Sequence, residues 1–221
     1  MNIIKEHDVR LHGRLRELHD IRLIPLSDEH LHFLYKWNAD VEVMCWEDGP
    51  STEGYDEEEV HEIYEAASSS GYSFLIEFEN NGIGECLLCK MGLDYVLKHY
   101  PDTTDVRRVD ILIGEKEFWN KGIGSKVTEM LMNFAFYEEN VDVLYGITKD
   151  FNKRSAHMLK KNGFTLFEQF TFQEEDEETE TELHFRITKA EYAKKFGPTH
   201  EPRSALPGKA EMKISVAQEV Y

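Results

Sequence analysis

The chain has 221 residues, with hydrophobic side chains at 41% and spread in short runs. That suits one domain around one core and leaves no run long enough for a membrane-spanning helix. Lys and Arg number 25 against 43 Asp and Glu, a net charge of −18, which argues against a nucleic-acid partner. Three cysteines are too few for a disulfide scaffold of this size. The opening "MNIIKEHDVR" also lacks the basic and apolar regions of a signal peptide, so a cytoplasmic protein with no membrane partner is expected.

Along the chain, "IRLIPL" (21–26) predicts a strand, and Ser27 can cap a helix over 28–38, with Asp28 and Glu29 in its first turn. From Trp37 to Cys89 there is no Lys or Arg, while fourteen Asp and Glu fall in the same stretch. Such a block is either a solvated surface or an acidic wall that attracts a polycation. Within it, "CWEDGPSTEGY" (45–55) has loop punctuation, and Asp56 with Glu59 has capping-box spacing for a helix to about Ala67. "SFLIEFE", "NNG" and "IGECLLCKM" together predict a hairpin over 73–91.

The segment 92–106 looks irregular, and "RVDILIG" (108–114) predicts a buried strand. Residues 124–139 have helical periodicity through Val127, Met130, Leu131, Phe134 and Ala135. A strand at 141–148 and a helix at 153–162, stopped by Asn162-Gly163, come next. Strands at 164–172 and 182–188 enclose the acidic turn "QEEDEETET", and beyond Phe196 the sequence turns polar like a tail. The order predicts a mixed α/β, or α+β, domain. Its expected divisions are an N-terminal extension at 1–20, the domain at 21–190 and a tail at 191–221.

Between the strand at 108–114 and the helix from 124 stands "EFWNKGIGSK" (117–126). A helix start with glycines at 122 and 124 offers free N–H groups and close backbone approach, which is an anion site. Lys121 and Lys126 add charge for a phosphate. The pattern is neither a dinucleotide fingerprint, since Val127 stands where a third glycine would, nor a P-loop. Cys86 and Cys89 in "CLLC" lie three apart on a strand and would point to opposite faces, so no metal or disulfide pair is expected. Asp110, inside an apolar strand, is a carboxylate that needs a partner or a cavity.

"VDILIGEKEFWNKGIGSKVTEMLMNFAF" and "NKRSAHMLKKNGF" resemble the acetyl-CoA-binding core of the GCN5-related N-acetyltransferases, over roughly 20–188. The resemblance implies a mostly antiparallel sheet with one splayed parallel pair, flanked by helices. It further implies acetyl-CoA bound by Leu112, Ile113, Lys121, Gly122, Ile123, Gly124, Ser125, Lys126 and Asn152, with no metal. Within the family, "HYPDTTDVRRVDILIGEKEFWNKGIG" (99–124) is similar to aminoglycoside 6′-N-acetyltransferases, which places Asp110 in the acceptor site as the catalytic carboxylate. Trp46, Glu47 and Asp48 would form the acceptor wall for a small polycationic amine, an antibiotic-resistance activity. Three positions depart from the pattern: Trp119 replaces the usual Gln or Arg, Leu159 replaces the general-acid Tyr, and the acidic residue that aminoglycoside enzymes often carry after the next strand is absent from its place in "GITKDFN". A ribosomal-protein-type N-terminal acetyltransferase and a non-catalytic acyl-CoA-binding module are the competing readings. The sequence leaves a homodimer open.

Overall fold

The computed structural model describes residues 7–172 and 179–197; most of the expected acidic turn and all of the tail beyond Gly197 lie outside them. In chain order the elements are β1 (Leu11–Leu15), β2 (His19–Pro25), α1 (Leu31–Asn38), α2 (Val41–Met44), α3 (Glu57–Ser70), β3 (Gly71–Phe78), β4 (Asn81–Lys90), α4 (Asp94–Leu97) and β5 (Val106–Ile113). They continue with α5 (Ile123–Asn133), β6 (Val143–Lys149), α6 (Lys153–Lys161), β7 (Thr165–Phe172), β8 (Glu180–Thr188) and α7 (Lys189–Phe196). One sheet of eight strands in the order β1-β2-β3-β4-β5-β6-β8-β7 holds the molecule together. Every pair is antiparallel except β5 with β6.

That exception shapes the site. The parallel pairing covers only Val106–Arg108 against Val143–Tyr145. Beyond it both strands continue without each other, β5 to Ile113 and β6 to Lys149, so a cleft opens between them. α5 and the turn that follows it pack under one face of the sheet in the main core, through Val127 and Leu131 of the helix and Phe134 and Ala135 beyond it. α1 and α3 cover the other face with Leu34, Trp37, Val60 and Tyr64. The expected helix over 124–139 runs as α5 and then loosens into a π-helical turn at Phe134–Glu138, which keeps Phe134 and Phe136 buried.

Four elements were not predicted. β1 lies inside the expected extension and forms a hairpin with the predicted strand β2, turning through Arg16 and Glu17 at positive φ. Neither residue signals such a turn, so the sequence hid it. α2 and α4 are single turns, α2 just before the expected loop at 45–55 and α4 within the stretch read as irregular. α7 crosses the expected boundary at 190, capped by Thr188, whose hydroxyl accepts from the Glu191 N–H at 3.2 Å. The Thr-x-x-Glu spacing was there to be read.

Candidate active site

The coenzyme-facing half of the cleft is built from β5 and the turn into α5. Gly122 is the N-cap of α5 at φ 88, a left-handed conformation that costs side-chain-bearing residues about 1–2 kcal/mol. The N–H groups of Ile123, Gly124 and Ser125 in the first helical turn have no intrahelical acceptor, which concentrates positive potential there. A cavity of about 600 Å³ opens over them. Leu112, Ile113, Gly122, Ile123, Gly124, Ser125 and Asn152 line it, and so do Trp46, Glu47 and Asp110 from the opposite side.

Lys121, Lys126 and Asp48 stand outside that lining. Lys126 is drawn to Glu129 at 2.7 Å, and the Lys121 ammonium lies 5.1 Å from the centre of the Phe118 ring. The cations that reach the cavity come instead from α6, as Lys153, Arg154 and Lys161. Asn152 works at both ends of its amide: its Oδ1 accepts from the Ser155 N–H at 3.1 Å, and its Nδ2 donates to the Trp46 carbonyl at 2.7 Å. Asn152 thus ties the acceptor loop to the start of α6. Trp119 donates its indole N–H to the Ile113 carbonyl at 2.6 Å, which fixes its ring against the end of β5.

On the acceptor side, Arg108 and Asp110 alternate along β5 and so share a face. Arg108 Nε donates to Asp110 Oδ2 at 2.8 Å, and the Cys89 thiol lies 3.9 Å from the same oxygen. Cys86 points the other way into the core, so the two thiols diverge as their spacing implied. Burial pushes the Asp110 carboxyl above its ordinary range while Arg108 pulls it back. The side chain is still 37% accessible, because the cleft reaches it.

Glu47 is open to water yet crowded by the cleft walls. That crowding, then the like charges of Asp110 and Asp48, push its carboxyl up to about 7, against the pull of Arg108 and Lys149. Glu85, on β4 beside Leu112, is also raised to about 7 by burial, opposed by a hydrogen bond with Asn38. Burial likewise raises the Asp48 carboxyl. Lys149 occupies the region where an acid was expected by resemblance, and it is paired with Glu180 at 2.5 Å and Glu182 at 3.4 Å. Leu159 is buried and offers no proton.

A latch joins the two halves. Gly114 ends β5 directly against Trp37, where an added Cβ would lie 2.1 Å from the indole ring. Next to it, Glu115 accepts from the Trp37 indole at 2.9 Å and from Lys36. Lys116 then pairs with Asp40 at 2.8 Å and with Glu42, at the cap and first turn of α2. α2 leads straight into Trp46 and Glu47, so the loop that carries them is anchored to the end of β5.

The family model described as an acetyltransferase (GNAT) domain matches residues 20–165. Among solved structures, aminoglycoside acetyltransferase AAC(6′)-Ib in complex with coenzyme A and kanamycin aligns with TM-score 0.64 at 19% identity, over 79% of this chain and 98% of that one. Spermidine N-acetyltransferase from Vibrio cholerae, with CoA and spermine, aligns with TM-score 0.61 at 18% identity, over 78% and 97%. A GNAT-family acetyltransferase from Bacillus anthracis aligns with TM-score 0.62 at 16% identity, over 77% and 95%. At such identities these likenesses speak for the fold.

Proposed function

This chain belongs to the acetyltransferase (GNAT) family, and from that premise we propose that it transfers an acetyl group from acetyl-CoA to a primary amine of a polycationic small molecule, an aminoglycoside or a polyamine. One observation carries the reading. A single cavity joins the glycine-capped helix start to the carboxylates of Glu47 and Asp110. The first half suits a phosphate-bearing coenzyme, and the second suits an ammonium group.

The coenzyme supplies an activated acetyl thioester; everything else falls to the chain. Free N–H groups along β5 past Arg108, where no β6 partner sits, can polarise the thioester carbonyl. Asp110, held in place by Arg108, orients the incoming ammonium. Glu47, with its raised carboxyl, can take the proton the amine must lose. No acid stands at Leu159, so water protonates the departing thiolate. Holding both reactants together lowers the entropic barrier, and no acetyl-enzyme is required.

The neighbours' acceptors, kanamycin and spermine, support a polycation, since both proteins share this fold. The test is release of free thiol from acetyl-CoA with four acceptor conditions: kanamycin-type aminoglycosides, spermine, an N-terminal ribosomal-protein peptide, and none. Thiol release with a polycation alone is expected. Acetylation of the peptide alone would shift the assignment to protein N-termini, and binding without any turnover would leave a coenzyme-binding module.

A further inference from the structure

Arg154, on the first turn of α6, carries its guanidinium over two indole rings. Its guanidinium carbon stands 3.9 Å from the Trp46 ring centre and 4.4 Å from that of Trp119. Trp46 belongs to the acceptor loop and Trp119 opens the glycine turn, so the guanidinium bridges the cleft. The faces of a guanidinium suit aromatic rings, while its N–H groups point outward from the edge. Among the described residues, no carboxylate comes within 4 Å of Arg154. None of its side-chain N–H groups is hydrogen-bonded to any described residue either. The residue is half-buried and lines the cavity.

A guanidinium stacked on two rings with its edge unpaired, in the cavity that also holds a helix start with free N–H groups, suits an anion. The two lysines of the glycine turn do not fill the role, since Lys121 lies over Phe118 and Lys126 is spent on Glu129. The α5 start and the Arg154 edge share one cavity and are joined through Trp119. Only a multiply charged group such as a phosphate would satisfy both.

We propose that Arg154 binds a phosphate of the coenzyme through its guanidinium edge and, by its stack on Trp46, sets the acceptor wall against the bound coenzyme. The proposal rests on the coenzyme reading above and adds a residue that the glycine pattern did not indicate. It also implies that coenzyme occupancy is felt at Trp46 before any acceptor arrives.

Calorimetry on the full chain without acceptor, using three ligands, tests it. Arg154→Gln is expected to weaken acetyl-CoA by about tenfold or more, the scale of one charge-assisted contact. Binding of S-acetylpantetheine, which lacks phosphate, should be unchanged. With acetyl-dephospho-CoA, an equal drop assigns the pyrophosphate and no drop assigns the 3′-phosphate; both support the proposal. Equal loss for all three ligands, or loss for none, overturns it. Arg154→Lys keeps the charge but not the planar stack, and covers the case in which the Gln variant does not fold. It should weaken acetyl-CoA less than Arg154→Gln does, since the charge remains without the fork, and lose the wild-type change in tryptophan emission on binding. An unchanged emission response refutes the coupling to Trp46. Trp37 is fully buried in the other cluster and serves as a constant background, and emission is read in a Trp119→Phe background so that Trp46 is the cavity-lining reporter. If the wild type binds no acetyl-CoA at millimolar concentration, the family chemistry itself fails. If it binds and Arg154→Gln binds as well, only the role of Arg154 fails.

Discussion

Glu47 and Asp110 both present carboxylates to the cleft, but their neighbours give them different tasks. Asp110 is charge-paired with Arg108 at 2.8 Å, which fixes its orientation and opposes the rise that burial gives its carboxyl. Glu47 has no such partner among the described residues and meets Asp110 and Asp48 as like charges, so its proton is held up to about pH 7. A base works only when deprotonated, so turnover must fall as the pH drops through that value and rise above it. We expect kcat/KM for a polycationic acceptor to climb with pH around 7. In Glu47→Gln that limb should vanish, with turnover lower by about 10²-fold, the usual scale for one proton-transfer group. Asp110→Asn should lower turnover similarly while acetyl-CoA affinity stays within about threefold, since no phosphate contact is removed. A Glu47→Gln profile that still breaks near 7 would assign the titration to another group.

At the scale of elements, the latch at the end of β5 sets the distance between the two halves of the cleft. Gly114 leaves room for the Trp37 ring, Glu115 takes its indole N–H, and Lys116 holds the first turn of α2. Gly114→Ala would drive a methyl into the ring, an overpacking that costs roughly 1–3 kcal/mol. The shift should travel along α1 and α2 to Trp46, so acceptor KM should rise several-fold while acetyl-CoA affinity moves less. Urea denaturation and steady-state kinetics read the two effects, and a variant as stable as wild type would mean the ring has somewhere else to go. This contact shows where legibility in the sequence stops. Strands with apolar runs, the Asn-Gly hairpin and the Asp56–Glu59 box could be read because their signals are local. Gly114 and Trp37 meet across 77 positions, and nothing in either neighbourhood announces the other. The same holds for the cavity's charge. Lys121 and Lys126 stood in the right motif but turn to Phe118 and Glu129, whereas Arg154 reaches the cavity from a helix 28 residues downstream of Lys126.

For the whole molecule, the acidic block from Trp37 to Cys89 turns out to be several things. Asp56 caps α3, accepting from the N–H groups of Glu58 and Glu59 at 2.9 and 3.0 Å, and Glu57, Glu58, Glu62 and Glu65 lie exposed along that helix. Asp40 and Glu42 serve the latch, and Glu77 pairs with Arg22 at 2.9 Å. Glu47, Asp48 and Glu85 are the members grouped near Asp110, facing Arg108 and Lys149 as the nearby cations. Attraction of a polycation therefore has two ranges. The α3 surface supplies a diffuse field that salt screens beyond about 10 Å at 0.1 M, whereas the cleft carboxylates act at contact distance and resist screening. Raising ionic strength from about 0.05 to about 0.5 M should lift acceptor KM several-fold, with a smaller change in acetyl-CoA affinity. Neutralising exposed Glu58 and Glu62 on α3 should remove part of that salt response and leave turnover at saturating acceptor unchanged. Neutralising Glu47 and Asp48 together should instead raise KM at both salt concentrations, because their attraction acts at contact distance. If the α3 pair changes neither KM nor its salt slope, the acidic surface plays no part in capture, and the cleft alone selects the amine.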